Sequence, residues 1–382
     1  MDDDKKLKKS AVWDRVIAYG ALPLLLVIGI CTLVLPGKDF SDRERRALAG
    51  LKAPESLTEW TFNNDLETYL SDHLPGRDTL VSVNAVYNAA TGRGSQLGAW
   101  IAGNSLVEKP VDADTETLCR TRDNLIRMAE KHGVSCAFIT PPTHGEVLAD
   151  RMGPLSRTLF EEERAAYTAL TDDPRFVKLQ PIFEGEKDLY YLTDHHWTLE
   201  GAYAAYEAYC GQAGLTAAAM DAFTITEYTG FRGTTASRSG LPVNVSDTIR
   251  AAEPKTSVKV TFDGETYDHM IFPGRAETYD MYAVYLDGNH GVTLLENESA
   301  ENGTLFVMKD SFANSLLPFL TMNYKRIVAV DTRYLPASVT IGDVLGAEET
   351  IDSMLFIYSL DSYDDTSLNR ALVMLNRSAG TN

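Results

Sequence analysis

The chain has 382 residues, of which 44% are hydrophobic and 23% are charged, a composition typical of a folded globular protein rather than a disordered one. The net charge of −19 argues against binding to nucleic acid and against tight binding of a strongly anionic glycan, because such partners require clustered lysine and arginine. A neutral or weakly charged ligand is compatible with this charge.

Residues 16–35 contain no charged side chain and have the length of a helix that crosses a bilayer. No small-x-small cleavage site follows, and Ile30 rather than a small residue precedes Cys31, which favours a retained anchor over a removed signal. Basic residues flank both ends, so charge does not decide the orientation. We predict a cytoplasmic tail at 1–15, a transmembrane anchor at 16–35 and a large extracytoplasmic domain held at the cell membrane.

Beyond the anchor, we predict a helical juxtamembrane segment at 36–100 and an α/β domain at 101–382. Helical spacing and short apolar runs alternate in the α/β part of the chain. This alternation predicts parallel strand pairing in a layered sheet. The predicted helices cover about 115–132, 157–170, 198–213, 312–322 and 338–347, and the predicted strands cover 134–140, 304–308, 327–330 and 354–358.

The stretch at about 216–290 differs in texture from the rest of this domain. Two strand-like runs, at 258–262 and 265–272, flank Asp263-Gly264, and Asp-Gly between such runs is a strong signal for a β-hairpin. We therefore predict a β-rich insertion beside the α/β core.

The four cysteines give little information about compartment. Cys31 lies in the apolar segment and Cys210 in a helical pattern. Cys119 and Cys136 lie on a predicted helix and on the strand that follows it, which places them within possible reach of a disulfide. The sequence leaves that pairing open.

Three ionisable side chains, Asp194, His195 and His196, stand in a row before the third predicted helix. In an extended segment, alternate side chains point to the same side, so we expect the Asp194 carboxylate to orient the His196 imidazole as a general base. The same run permits a zinc site with both histidines and either Asp194 or Glu200 as ligands, but adjacent ligands point apart and no second Cys or His cluster has metal-site spacing. A third interpretation is a pair of structural histidines in a turn.

Ser311 stands where the apolar run at 304–308 gives way to a helical pattern. A serine hydroxyl needs a base and a group that orients the base, and His196 and Asp194 could supply both. Helical N–H groups aimed at Ser311 would favour an oxyanion. We predict a catalytic triad of these three residues; the alternative is that Ser311 only caps the following helix.

Two further residues are candidates for substrate contact. Asn289 lies between Gly288 and His290 on a predicted turn, where its amide could donate to a tetrahedral intermediate. His144 follows the carboxyl end of a predicted strand, where open α/β sheets bind ligands. The simpler interpretations are a turn asparagine and a solvated loop histidine.

Several motifs together resemble the DHHW protein family, named for the tetrapeptide found here at 194–197, and more distantly the alginate O-acetylation proteins with SGNH-hydrolase-like domains. The similarity covers nearly all of the chain beyond the anchor. The other motifs that carry it are Phe40-Ser41-x-x-Glu44-x-Arg46, Leu74-Pro75-Gly76-Arg77-Asp78, Phe231-Arg232-Gly233 with Ser237 and Gly240, Gly288-Asn289-His290, and Lys309-Asp310-Ser311-Phe312-Ala313-Asn314.

The resemblance implies an SGNH-hydrolase-like layered sheet in permuted order, since the Asp-His element precedes the serine here. It also implies a Ser-His-Asp triad that handles acetyl groups on a cell-surface polysaccharide, with a polytopic membrane-bound O-acyltransferase as the acetyl donor. Lys309 departs from the glycine that usually precedes Asp-Ser in SGNH enzymes. No metal or other cofactor is expected. The residues predicted to bind the oxyanion or the substrate are Asn289, His195, Asn314 and His144.

We therefore expect a membrane-anchored O-acetyltransferase. A carbohydrate esterase would use the same triad with water as the acceptor, and a non-catalytic glycan-binding scaffold would keep the fold without the chemistry. The sequence does not separate a transferase from an esterase, because both need the same residues and differ in how the site excludes water.

Overall fold

The computed structural model describes residues 17–41, 46–50, 60–95, 98–112, 114–152, 157–336, 338–339, 343–344 and 350–375. These residues form two compact units. The smaller unit takes in the described residues of Met1–Ala90 and Ser95–Leu97, together with Ser237–Pro242. The larger unit takes in the described residues of Thr91–Gly94, Gly98–Ala236 and Val243–Asn382, and so all of the described part of the predicted α/β domain except Ser237–Pro242.

The smaller unit is mainly helical, but the segment predicted to be helical at 36–100 also contains a short antiparallel strand pair. The Asp72 carboxylate accepts hydrogen bonds from the Arg46 guanidinium, at 2.9 and 2.5 Å, and from the Ala49 amide at 3.0 Å. This ion pair ties the strand pair to a helix. The elements are a π-helical turn at Ile17–Ala21, α1 (Leu22–Val34), β1 (Phe40–Ser41), β2 (Arg46–Ala47), α2 (Trp60–Asp72) and α3 (Arg77–Ala90).

Among the helices that the structure describes, none has both the length and the apolar character that a membrane span requires. The transmembrane anchor at 16–35 is therefore not confirmed and stays a prediction.

The larger unit contains eleven described strands. They are β3 (Ala99–Ala102), β4 (Ser105–Glu108), β5 (Ser135–Ile139), β6 (Phe223–Phe231), β7 (Asp247–Pro254), β8 (Lys259–Phe262), β9 (Glu265–Tyr267), β10 (Val292–Glu296), β11 (Asn302–Lys309), β12 (Tyr324–Asp331) and β13 (Ser353–Ile357). Seven of them form one mixed sheet in the order β5-β13-β11-β12-β10-β8-β9. The first four strands in that order are parallel, and β10, β8 and β9 continue the sheet with antiparallel pairs.

Two smaller antiparallel sheets, β3–β4 and β6–β7, complete the described strands of this unit. Its described helices are α4 (Thr115–Lys131), α5 (His144–Val147), α6 (Glu161–Thr171), α7 (Gln180–Phe183), α8 (Leu199–Ala213), the first residues of α9 (Thr234–Ser239), α10 (Ala313–Leu320) and α11 (Thr366–Leu375).

The central strand β11 is apolar on both faces because helices cover both sides of the parallel part of the sheet. Leu305 and Val307 pack into one core with side chains of α8 and α10. Phe306 and Met308, which alternate with them, pack into a second core with side chains of α4, α6 and α11. This two-sided burial fixes the strand register, since a shift of one residue would exchange the two faces.

The predicted α/β class with parallel strands is confirmed, and the antiparallel extension of the sheet was not foreseen. The hairpin predicted at Asp263-Gly264 is confirmed: β8 pairs with β9, and both turn residues have positive φ, as a type I′ turn requires. The helix predicted at 338–347 lies mostly outside the described residues. All four cysteines are free thiols, so Cys119 and Cys136 do not form the possible disulfide.

We expect Val307→Ala to lower the free energy of unfolding by about 2–3 kcal/mol, because it removes two methyl groups from a fully buried position and leaves a cavity. Val245→Ala makes the same chemical change at an exposed position and should alter stability by less than about 0.5 kcal/mol. Chemical denaturation of both variants measures the difference. Equal effects would contradict the assignment of β11 to the centre of the core.

Candidate active site

The segment that carries Asp194 and His196 is a closed bend rather than the extended strand that we expected. Its ends are joined by a bridge between Tyr190 and Trp197, and the Tyr191 amide donates to the His196 carbonyl at 3.2 Å. The Asp194 side chain accepts a hydrogen bond from the backbone amide of His196 at 3.0 Å. An aspartate that bonds to the backbone two residues ahead stabilises such a turn and competes with extended pairing.

The bend and the β11–α10 junction bring Asp194, His196 and Ser311 together. Oδ1 of Asp194 lies 2.5 Å from Nδ1 of His196, and Nε2 of the same ring lies 2.8 Å from Oγ of Ser311. A carboxylate only accepts hydrogen bonds, so Nδ1 carries the proton and Nε2 faces the hydroxyl as an acceptor. This is the geometry of a serine nucleophile with its base and an orienting acid.

The Asp194 carboxylate is buried and has a third donor, the Thr234 amide at 2.5 Å from Oδ2. The backbone at Gly233 approaches so closely that a Cβ there would lie 2.2 Å from the Cβ of Asp194. Asp247 at the start of β7 accepts from the amides of Leu192 and Thr193, both at 2.9 Å, and so holds the bend in place. Among these supporting residues, only Gly233 carried a signal in the sequence, as part of a motif shared with the DHHW family.

The electrostatics of the pair favour a charged acid and a neutral base. Burial alone would raise the pKa of Asp194, but the positive charges of His195 and His196 and the hydrogen bonds to the carboxylate hold that pKa far below its usual value. Burial and then the charge of His195 lower the pKa of His196, against the opposing effect of Asp194. His196 is therefore in its neutral, proton-accepting form at neutral pH.

The turn that presents Ser311 is anchored by the neighbouring carboxylate of Asp310. Oδ1 of Asp310 accepts from the Phe312 amide at 2.9 Å, and Oδ2 accepts from the Ser359 amide at 2.6 Å and the Ser362 hydroxyl at 2.9 Å. Ser311 consequently lies, half-buried, at the carboxyl edge of the parallel strands. Its own amide donates to no residue that the structure describes, so it is free for a ligand oxygen.

Trp197 holds the Asp-His bend against the helix that follows the serine. Its buried indole donates to the Phe312 carbonyl at 3.1 Å and to the Ser315 hydroxyl at 2.8 Å. The Tyr282 ring stacks on the His196 ring with centroids 4.0 Å apart, and its hydroxyl donates to Ser315 at 3.1 Å. These contacts restrict the orientation of the imidazole and explain why an aromatic residue follows the two histidines.

Two of the residues predicted to bind the oxyanion, Asn289 and Asn314, contact each other at the beginning of α10. The side-chain amide of Asn314 donates to Oδ1 of Asn289 at 3.0 Å and to the Gly288 carbonyl at 3.3 Å. The buried Lys309 ammonium donates to Oδ1 of Asn314 at 2.7 Å. The sequence alone indicated neither contact, since the glycine-flanked turn and the Asp-Ser motif lie in separate parts of the chain.

His195 lies beside Asp194 and His196. Its ring centroid is 4.0 Å from that of His196, and its Nδ1 is 3.6 Å from carboxylate oxygens of Asp194 and Glu108. Burial is the largest single effect and lowers the pKa of His195, but the surrounding carboxylates, first Asp194 and then Glu108, together raise it overall. His195 is therefore more readily protonated than the neighbouring base, His196, whose pKa is lowered.

His144 is buried rather than a solvated loop histidine. It lies at the start of α5, where its ring stacks on Tyr190 with centroids 4.8 Å apart. Neither ring nitrogen is hydrogen-bonded to a residue in the described part of the chain, and burial lowers the pKa of His144 to about 3. The ring is thus neutral and makes no hydrogen bond to Ser311.

The same bend satisfies a distance test for metal binding, because one ligand atom from each of Asp194, His195 and His196 lies within 4.8 Å of the others. The donor atoms are already engaged, however: Oδ1 of Asp194 binds the His196 ring, whose second nitrogen faces Ser311. A metal at this place would have to break the pair that orients the base. The geometry favours the serine chemistry.

The similarity of the chain to known proteins is consistent with this site. The DHHW protein family model matches residues 182–330, a range that includes the Asp-His bend, Asn289 and Ser311. The predicted resemblance to the DHHW family is confirmed. No curated protein matches this chain.

Solved structures with the same fold include a DHHW family protein from Eubacterium siraeum, with 19% identity and a TM-score of 0.61 over 73% of this chain and 96% of that one. PatB1 of Bacillus cereus, solved with a sulfonyl adduct, has 21% identity and a TM-score of 0.57 over 71% of this chain and 97% of its own. The O-acetyltransferase domain of Pseudomonas putida AlgJ has 14% identity and a TM-score of 0.41, over 73% of this chain and 98% of that domain. That lower score does not establish a common fold.

We expect His195→Gln to raise the pKa of His196, because the substitution removes a neighbouring positive charge that lowers it. Long-range ¹H–¹⁵N correlation spectra recorded against pH report the protonation of each imidazole. His269→Gln, at an exposed position away from the bend, serves as the control and should leave that pKa unchanged. A fall in the pKa of His196 in His195→Gln would contradict the electrostatic account.

Proposed function

We propose that the chain is an extracytoplasmic O-acetyltransferase that acetylates a cell-surface polysaccharide through Ser311, His196 and Asp194. The observation that carries this proposal is that the His196 imidazole lies between the Ser311 hydroxyl, at 2.8 Å, and the Asp194 carboxylate, at 2.5 Å. The resemblance of the motifs to the DHHW family and to the alginate O-acetylation proteins supports acetyl as the transferred group.

In the first half-reaction, Oγ of Ser311 attacks the carbonyl carbon of an acetyl donor while Nε2 of His196 takes the hydroxyl proton. Asp194 remains ionised and stabilises the imidazolium. The oxyanion accepts hydrogen bonds from the free Ser311 amide and from the side-chain amide of Asn289. When the intermediate collapses, the leaving group receives the proton from His196 and the acetyl group stays on Ser311.

In the second half-reaction, a sugar hydroxyl takes the place of the leaving group. Neutral His196 removes its proton as the hydroxyl oxygen attacks the acetyl carbon, and the reverse collapse releases Ser311 with its proton restored. The lowered pKa of His196 supports this role, since the ring must be unprotonated at the start of both steps. His195, whose ring lies beside that of His196 and whose pKa is raised by nearby carboxylates, would contact the substrate.

The proposed setting follows from the sequence. The charge-free segment at 16–35 would anchor the chain, with the tail at 1–15 in the cytoplasm and the domain at 101–382 outside the membrane. A polytopic membrane-bound O-acyltransferase would supply the acetyl group from the inner side. The net charge of −19 favours a neutral or weakly charged polysaccharide as the acceptor.

We expect phenylmethanesulfonyl fluoride to modify the purified full-length chain once, at Ser311, because this hydroxyl alone among the described serines faces a paired imidazole. PatB1, which shares the fold, was solved with a sulfonyl adduct. Intact-mass and peptide analysis measure the modification. Ser311→Ala should remain unlabelled, whereas the control Ser299→Ala, at an exposed position, should be labelled like the wild type. Equal labelling of Ser311→Ala and the wild type would contradict the triad.

Turnover of an acetyl ester in the presence of an oligosaccharide separates the possible functions. Acetylated oligosaccharide supports the transferase, and Ser311→Ala should lower its formation by about 10³-fold or more. Free acetate as the sole product would replace the transferase with a carbohydrate esterase. Binding of the oligosaccharide without labelling or turnover would replace both with a glycan-binding scaffold.

A further inference from the structure

Lys309 is a buried cation that none of the steps above uses. It ends β11, two residues before Ser311, and its side chain is almost fully enclosed. Its ammonium lies 3.7 Å from Oδ2 of Asp331, whose carboxylate is also bound by Arg333 at 2.9 and 2.7 Å. Burial of a charge is costly unless it is paired and hydrogen-bonded. The distant carboxylate satisfies the charge only in part, and the short hydrogen bond of Lys309 goes to Asn314 instead.

Hydrogen-bond chemistry fixes the orientation of two amides from that one contact. An ammonium group only donates, so the Asn314 atom 2.7 Å from Nζ of Lys309 must be the carbonyl oxygen. Nδ2 of Asn314 therefore faces Asn289, and because it too only donates, the atom that it meets at 3.0 Å must be Oδ1 of Asn289. Nδ2 of Asn289 is consequently turned away from Asn314.

This remaining amide is available to a ligand. Asn289 is half-buried, and its Nδ2 donates to no residue that the structure describes. It lies directly after a turn in which Leu286, Asp287 and Gly288 all have positive φ, at 57°, 60° and 108°. Two consecutive non-glycine residues in this region are unusual, and such backbone strain is typical of functional sites.

The turn is fastened to the segment that carries the nucleophile. Asn314 donates through its side chain to the Gly288 carbonyl at 3.3 Å, and through its backbone to the Ser311 carbonyl at 3.1 Å. One residue on the first turn of α10 thus contacts both the serine turn and the Asn289 turn. A free amide donor on a turn that Asn314 ties to the Ser311 turn matches what a developing oxyanion needs.

We propose that Lys309 and Asn314 are positioning residues that hold the Asn289 side chain with its N–H groups toward the oxyanion formed at Ser311. We call the two consecutive hydrogen bonds from Lys309 to Asn314 and from Asn314 to Asn289 the amide relay. This inference rests on the proposed function, and it gives a purpose to the lysine that stands where SGNH enzymes usually have glycine.

The amide relay has a consequence that simple loss of packing does not have. Asn314→Asp keeps an acceptor for Lys309 but presents a second oxygen to Asn289, so the Asn289 amide must rotate to donate to it. Its carbonyl oxygen then points at the oxyanion. Asn314→Asp should therefore be at least as harmful as Asn289→Ala, although it adds a favourable ion pair with the buried lysine.

The test is a double-mutant cycle on the full-length chain. We expect Asn289→Ala to lower kcat for an acetyl ester about 100-fold with KM nearly unchanged, as for loss of one oxyanion donor. Asn314→Asp should lower kcat by that amount or more, and Lys309→Met by about tenfold. Combined with Asn289→Ala, neither substitution should cause further loss, because the group that they position is absent.

The control for the ion cluster is Arg333→Met, which removes two hydrogen bonds to Asp331, the distant carboxylate of Lys309, but leaves the hydrogen bonds from Lys309 to Asn314 and from Asn314 to Asn289 in place. We expect its kcat to stay within about threefold of the wild-type value. An equal loss in Arg333→Met and Lys309→Met would overturn the proposal, as would effects of Asn314→Asp and Lys309→Met that multiply with that of Asn289→Ala. If Lys309→Met does not fold, the kcat values of Asn314→Asp and Asn289→Ala and of their double variant decide whether the proposal holds.

The rate of sulfonylation of Ser311 separates this proposal from the proposed function, because the sulfonyl oxygens also occupy the oxyanion position while no acetyl group is involved. We expect the rates at which phenylmethanesulfonyl fluoride labels the variants to fall in the same order as their kcat values. A wild-type chain that is labelled with this order but does not turn over acetyl esters would contradict acetyl transfer and leave the amide relay supported.

Discussion

The buried carboxylate of Asp194 is the constraint on which the rest of the site depends. An ionised group so far from water must receive hydrogen bonds from its surroundings, and three N–H groups converge on it. Two belong to His196 and one to Thr234, so the same requirement shapes the bend and fixes the tautomer of the ring. The close approach of Gly233 is a further result, since any side chain there would collide with the aspartate.

The parallel sheet positions Ser311, the residue that the Asp194–His196 bend faces. The parallel strands end together at one edge, and Asp310 uses the end of β13 to hold the turn after β11. Trp197 then joins the bend to the helix after the serine through its indole N–H. The contacts that stabilise the core and those that align the nucleophile are therefore largely the same, which leaves little freedom to change one without the other.

The sequence predicts the elements better than it predicts their partners. Alternating apolar runs and helical spacing indicate the parallel core, and Asp263-Gly264 indicates the hairpin, because both signals are local. The bend at Asp194 was predicted as extended because the competing bond from its side chain to the backbone is not visible in an apolar pattern. The contact between Lys309 and Asn314 was not predictable either, since an unusual lysine in a motif does not reveal which acceptor it meets.

His196 and Ser311 are close in the folded protein but far apart in the sequence. His196 and Ser311 are separated by 115 residues, and β11, the strand before Ser311, pairs with β13, which lies still further along the chain. Closing so long a loop is entropically unfavourable until tertiary packing compensates for it. In a nascent or partly folded chain, the Ser311 hydroxyl is therefore not yet paired with the His196 imidazole, so the reactivity that this pairing would confer depends on the completed fold.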